Sequence, residues 1–170
     1  MMAAFIVAEI TIRPMKLEDI QTVRQIDVRS FNLPWPERSY RFELTENPAS
    51  RSWVAEVKGE NGQQQVAGML VMWQIIDEAH IGTLATDPDF RRHGIARRML
   101  VHALLQAAGQ GIQKVFLEVR RSNTAALALY KRFGFEVSSI RRNYYLDTGE
   151  DALLMTLEAI HPDLLHQMVE

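Results

Sequence analysis

The stretch that most restricts what this chain can become is Leu84-Ala85-Thr86-Asp87-Pro88-Asp89-Phe90-Arg91-Arg92-His93-Gly94-Ile95-Ala96-Arg97-Arg98. A strand-like run ends at Thr86 and Pro88 enforces a turn. From Gly94 the apolar residues recur at helical spacing, with Ile95, Met99, Ala103 and Ala107 on one stripe and Ala96, Leu100 and Leu104 beside it. Gly109 and Gly111 stop that helix. A strand feeding the start of an apolar helix is a building unit of an α/β sheet. The first turn of a helix leaves about four amide donors unpaired and carries partial positive charge. Gly94 and the small Ala96 leave the backbone approachable, and Arg91, Arg92, Arg97 and Arg98 flank it. Three readings stay open: a solvated arginine-rich loop, a sequence-blind basic patch for nucleic acid, or an anion cradle for a pyrophosphate. The segment is neither G-x-x-x-x-G-K-[ST] nor G-x-G-x-x-G, so it is not a nucleotide P-loop or a dinucleotide fingerprint.

The remaining chain fits one sheet around that unit. Its 170 residues suit a single domain, and 47% apolar with 24% charged residues supports a packed core. A net charge of -2 argues against a protein that coats nucleic acid non-specifically. With no cysteine, disulfides, thiolate metal sites and acyl-cysteine chemistry are excluded. The apolar run Ala3–Ala8 is too short for an export signal and stops at Glu9, and the run Val66–Ile76 is too short to span a bilayer. The five histidines lack ligand spacing, so no metal is assigned. Alternation predicts strands near 9–13, 53–57, 66–76, 80–86, 114–119, 135–142 and 151–157, with a turn at Asp147–Glu150 between the last two. Leu17, Ile20, Val23 and Ile26 predict a helix to about Phe31, broken at Leu33-Pro34-Trp35-Pro36; Pro36 opens a second helix to about Glu46. Lys58–Gln65 reads as a hairpin loop. Ala126, Leu129, Tyr130 and Phe133 predict a last helix stopped at Gly134, and the tail from Glu158 fits a short helix.

Glu118 and Tyr130 carry chemistry on residue type, each with a plain alternative. Glu118 shares a strand face with Phe116, opposite Val115, Leu117 and Val119. A carboxylate there is costly to bury, so it is either ion-paired with Arg120, Arg121 or Arg132, or a general base whose pKa partial burial raises. Tyr130 lies on an apolar helix stripe, as a core residue or as a general acid. Asn123 precedes the last helix, where it suits an N-cap. Tyr144 and Tyr145 read as ordinary strand aromatics near a hairpin.

Arg91-Arg92-His93-Gly94-Ile95-Ala96 resembles the [QR]-x-x-G-x-[GA] signature of the GNAT acetyltransferase family. Leu117-Glu118-Val119-Arg120, Ser122-Asn123, Ala128-Leu129-Tyr130, Phe133-Gly134-Phe135, Arg141-Arg142-Asn143-Tyr144-Tyr145 and Gly149-Glu150-Asp151-Ala152 follow in the order seen in its RimI-type branch, the ribosomal-protein-alanine N-acetyltransferases. The resemblance spans Glu9 to Leu157 and is strongest after Ala79. Ala96 stands for the commoner second glycine, and Thr86 for the usual valine or isoleucine. It implies a GNAT fold: a mixed, twisted sheet of about seven strands with about four helices, splayed where acetyl-CoA inserts. It implies one N-acetyltransferase domain over 1–157 with a tail at 158–170. Acetyl-CoA would be the cosubstrate, held by Leu84, Ala85 and Thr86, by the segment Arg92, His93, Gly94, Ile95, Ala96 and Arg97, and by Asn123. Glu118 would be the base and Tyr130 the acid. Leu33, Pro34 and Trp35 would form one wall for an incoming protein N-terminus, as on a ribosomal protein, and Tyr144 and Tyr145 the other. The implied protein is cytoplasmic, a monomer or weak dimer, with no metal, membrane or direct nucleic-acid contact. A small-molecule amine acetyltransferase and a non-catalytic acetyl-CoA-binding module are the alternatives.

Overall fold

The computed structural model describes residues 5–169, so the first two residues of the run Ala3–Ala8 lie outside the described residues. Seven strands form one sheet: β1 Val7–Pro14, β2 Ser50–Gly59, β3 Gln64–Ile75, β4 Glu78–Thr86, β5 Lys114–Arg120, β6 Glu136–Arg141 and β7 Ala152–Leu157, in the order β1-β2-β3-β4-β5-β7-β6. The helices are α1 Ile20–Ser30, α2 Glu37–Thr45, α3 Ile95–Gly109, α4 Thr124–Arg132 and α5 Pro162–Gln167. The fifth is the segment after Leu157, where Ile160 and Leu165 are buried. The described residues fall into two compact units, one holding the chain up to Val71 with Thr83–Leu100, the other Met72–Gly82 with Val101 onward.

In the first unit β1 runs antiparallel to β2, pairing Ile12 with Ala55 and Pro14 with Trp53. Val54 and Ala55 are both buried, as are Met69, Leu70 and Val71, so the middles of β2 and β3 are covered on both faces. This is why the alternation seen at Trp53, Ala55 and Val57 is incomplete. In α1, Ile20, Val23 and Ile26 are buried, whereas Leu17 is 48% exposed, in a 3-10 turn at Leu17–Asp19. The turn forms because Asp19 accepts the Lys16 amide at 2.8 Å and both Arg13 donors at 2.8 and 2.9 Å, which starts the helix three residues after Leu17. Pro36 caps α2, where its fixed φ suits the helix entry.

In the second unit β4 runs parallel to β5 over four pairs, from Glu78↔Lys114 to Ile81↔Leu117. The ladder ends there although β4 continues to Thr86 and β5 to Arg120. β5 pairs antiparallel with β7, setting Glu118 opposite Leu154, and β6 closes the edge on β7.

Candidate active site

The predicted site residues divide between the units. Leu33, Pro34, Trp35, Leu84, Ala85, Thr86 and the loop Arg92–Arg97 belong to the first. Glu118, Asn123, Tyr130, Tyr144 and Tyr145 belong to the second.

In the first unit, Gly68 of β3 lets the start of α3 approach. A Cβ there would lie 2.9 Å from Ile95 Cγ2, 3.0 Å from Met99 Sδ and 3.3 Å from the Ala85 carbonyl. Ile95 is thus sealed in the core, and the helix N-terminus is fixed beside the end of β4. The preceding loop is a 3-10 turn, Pro88–Phe90, capped by Asp87, whose carboxylate accepts the Asp89 amide at 2.9 Å. Arg29 of α1 donates to Asp87 at 2.8 and 3.1 Å and to Asp89 at 3.3 and 3.0 Å. Both carboxylates are therefore neutralised by a distant arginine, and the four loop and helix arginines are left to set the local charge. Arg29 had no signal in the sequence, because it lies 58 residues before Asp87.

The loop turns through left-handed backbone at Arg92, φ 68°, and Gly94, φ 73°. Alternation into that region gathers successive amide groups into an anion-binding concavity. His93 Nδ1 lies 3.0 Å from the Phe90 carbonyl and 3.1 Å from that of Arg91; both are acceptors, so Nδ1 carries the proton and the ring braces the loop. Arg97 folds back over Gly94, with Nη2 3.0 Å from where a Cβ would stand. Thr86 Oγ1, Arg97 Nε and Arg98 Nε are buried donors without a partner among the described residues. Approachable glycine, unpaired donors and unopposed arginines fit a pyrophosphate-bearing ligand.

The Leu33–Trp35 loop is held from below by Asp27, a buried carboxylate that the sequence reading missed. Its Oδ2 accepts the Trp35 amide at 2.9 Å and the Tyr40 hydroxyl at 2.6 Å. Burial pushes the Asp27 carboxyl above its ordinary range, against the lowering effect of those bonds. Leu33 is 56% exposed at the crest of the loop.

In the second unit, Glu118 lies on β5. Its side chain is 29% exposed, and its ion-pair partner is Arg141 of β6, Nη1 to Oε1 at 3.3 Å, not Arg120, Arg121 or Arg132. The physical reason is topology: β5, β7 and β6 are adjacent, so a residue 23 positions later crosses one strand to reach it. Tyr144 and Tyr145 lie in the loop after β6 rather than in a strand, packed edge to face at 5.2 Å. The Arg141 guanidinium lies 5.5 Å from the Tyr144 ring, and that of Arg120 only 3.9 Å from the Tyr145 ring. Burial raises the Tyr145 phenol, and the Arg120 charge opposes the rise. Tyr130 is 7% exposed and packs on Phe135 at 5.8 Å; burial holds its phenol well above the ordinary range, so it stays protonated. Asn123 caps α4, its Oδ1 accepting the Ala126 amide at 3.2 Å, which leaves its amide nitrogen to a ligand. Among the described residues no group of three or more His, Cys, Asp or Glu could hold a metal, and no helix is long and apolar enough to cross a membrane.

This geometry can be set against known proteins. Residues 20–135 match the model of the Acetyltransferase (GNAT) family. The [ribosomal protein bS18]-alanine N-acetyltransferase of Escherichia coli (strain K12) is 34% identical over 149 residues, covering 86% of this chain and 96% of that protein. A Bacillus subtilis (strain 168) protein that carries the same activity in its name provisionally is 38% identical over 144 residues, covering 85% and 92%. The crystal structure of the Escherichia coli ribosomal-protein-S18-alanine N-acetyltransferase superposes with a TM-score of 0.78 at 30% identity, covering 90% of this chain and 96% of that one. Ard1 from Thermoplasma volcanium gives 0.78 at 27% identity, covering 89% and 99%. The family match over residues 20–135, the seven-stranded order and these similarities together place the chain in the GNAT family of acetyltransferases.

Proposed function

We propose that the protein transfers the acetyl group of acetyl-CoA to the N-terminal α-amino group of a protein, with a bS18-type ribosomal protein as the target. The observation that carries this reading is similarity over nearly the whole length of both chains to an enzyme named for that reaction on bS18. The chemistry is consistent with direct transfer, since the chain has no cysteine to take the acetyl group. An attacking amine must be neutral. An α-amine with a pKa near 7.7–8.0 is roughly a tenth neutral at pH 7, whereas a lysine near 10.4 is about 0.04% neutral. One positioned carboxylate can supply the modest deprotonation the α-amine needs.

In this reading Glu118 accepts the amine proton, directly or through water. Because it is paired with Arg141, the incoming ammonium displaces one cation with another, and the carboxylate is never left unpaired in the approach. Tyr130 holds a proton through the pH range of the reaction and donates toward the departing thiolate. The main-chain amides from Arg92 to Arg97 hold the pyrophosphate, the free edge of Leu84–Thr86 the acetyl and pantetheine portion, and the Asn123 amide the thiol end. Leu33–Trp35 and Tyr144–Tyr145 grip the first residues of the peptide. Residues 1–157 are read as the acetyltransferase domain. The protein works in the cytoplasm, as a monomer or weak dimer, without direct nucleic-acid contact.

Matched peptides test this. One has a free N-terminal alanine or serine and no lysine; the other is N-terminally blocked and carries one lysine. Mass spectrometry should show acetylation of the first and little of the second. Equal rates would overturn the α-amine assignment, and reaction of a small polyamine alone would replace it with small-molecule acetylation.

A further inference from the structure

Arg120 ends β5 two residues after Glu118, and its guanidinium is committed to a single segment, the loop between β6 and β7. Nη2 donates to both Asp147 oxygens at 3.0 and 2.9 Å, and Nη1 donates to Thr148 Oγ1 at 3.3 Å. Glu150 Oε2 lies 3.6 Å from Nη1. The guanidinium face covers the Tyr145 ring at 3.9 Å. The side chain is only 18% exposed, so these contacts are partly shielded from solvent and from salt. The loop's base is tied down as well: Glu150 accepts the Ser122 amide at 2.6 Å, and the Arg121 amide donates to the Asp151 carbonyl at 3.2 Å. Leu146, between Tyr145 and Asp147, is 94% exposed, so apolar packing at this tip does not replace the arginine's contacts. A planar, always-charged fork can grip a carboxylate bidentately and stack on a ring at once; an ammonium cannot do both.

We propose that Arg120 is a positioning residue for the peptide substrate. It holds the Tyr144–Tyr145 loop in its ordered form and so sets affinity for the incoming N-terminus without touching it. The inference rests on the N-terminal acetylation reading above. Without the clamp the loop must be ordered by the peptide itself, and the cost is taken out of peptide binding. The ligand held by the Gly94 loop does not share that cost, because its contacts lie on other elements.

The test is steady-state kinetics of Arg120→Lys, Arg120→Met and Asp147→Ala with the free-N-terminus peptide. The peptide KM should rise about tenfold in all three. The acetyl-CoA KM and kcat at saturating peptide should stay within about twofold. The Arg120→Met, Asp147→Ala double variant should be no worse than Arg120→Met alone, since Asp147 acts on the loop through the Arg120 guanidinium. Failure of Lys to rescue separates the fork and stack from charge alone. An unchanged peptide KM, a parallel rise in acetyl-CoA KM, or additive losses would each overturn the proposal. If Arg120→Met does not fold, Asp147→Ala, which keeps the Arg120 stack on Tyr145, decides the clamp by the same KM comparison. A wild-type protein that leaves the peptide unacetylated would overturn both readings; an active wild type with unmoved variants overturns this one alone.

Discussion

Replacing Gly94 by alanine separates what the backbone needs from what the ligand needs. Gly94 sits at φ 73°, where an L side chain is disfavoured by about 1–2 kcal/mol. The new Cβ would meet Arg97 Nη2 at 3.0 Å, the far end of a flexible side chain that can swing aside. The stability loss is therefore the backbone contribution alone, which for a domain of this size lowers Tm by about 2–8 °C. Gly62, in the β2–β3 turn, has φ 80° and nothing within 4 Å of its Cβ position, so Gly62→Ala carries the same backbone cost in open space. The two variants should lose similar Tm. Only Gly94→Ala should weaken acetyl-CoA, because its methyl group stands over the anion-binding amides and displaces Arg97. Losing one charge-assisted contact of about 1.5–3 kcal/mol corresponds to a rise in Kd of about 10- to 150-fold. Thermal melts and calorimetric titration with acetyl-CoA and with a pantetheine-like analogue lacking the pyrophosphate read this out. The analogue should bind Gly94→Ala as it binds wild type. Equal losses for both ligands, or an equal loss in Gly62→Ala, would refute the cradle. Gly94→Val adds β-branching at the same φ and should unfold at a lower temperature still.

Glu118→Gln keeps the shape of the side chain and removes the base, so kcat with the peptide should fall about 10²-fold or more, with the deficit shrinking at high pH where the amine is already neutral; a mutant whose pH–rate profile matches wild type would exclude the base. Tyr130→Phe should lower kcat about 10- to 100-fold with a change in stability of no more than about 1 kcal/mol, and a wild-type kcat in that variant would return Tyr130 to the core alone. Asp19 is pulled below its ordinary 3.8: burial pushes it up, but the bonds from Arg13 and the Lys16 amide outweigh that. Its contribution is thus present above pH 3.8 and lost as pH falls through the lower folded value, so Asp19→Asn should cost about 1–3 kcal/mol in urea melts at pH 7 and progressively less as pH falls below 3.8.

Local rules account for what could be read without coordinates. The helix over Ile95–Gly109 follows from a 3.6-residue stripe, its stop from Gly109 and Gly111, and the break at Pro34 and Pro36 from proline's missing donor. The glycine at position 94, the small Ala96 and the flanking arginines are neighbours in sequence, so the anion cradle proposed at this helix start is suggested by a local pattern. The N-cap role of Asn123 was legible for the same reason, since cap and capped amide are three residues apart. Leu17 was misplaced because periodicity alone does not see that Asp19, held by Arg13, delays the helix to Ile20. Tertiary structure alone decided the partners. Glu118 meets Arg141 across an intervening strand, Arg120 meets Asp147 27 residues on, Arg29 neutralises Asp87 and Asp89, and Asp27 holds Trp35 and Tyr40. An ion pair needs only that two charges come within about 4 Å, a condition set by strand order and register and carrying no period in the sequence. The residue types that can do the chemistry are therefore written along the chain, while the charge that faces each of them is written only in the order β5-β7-β6 and in the packing of α1.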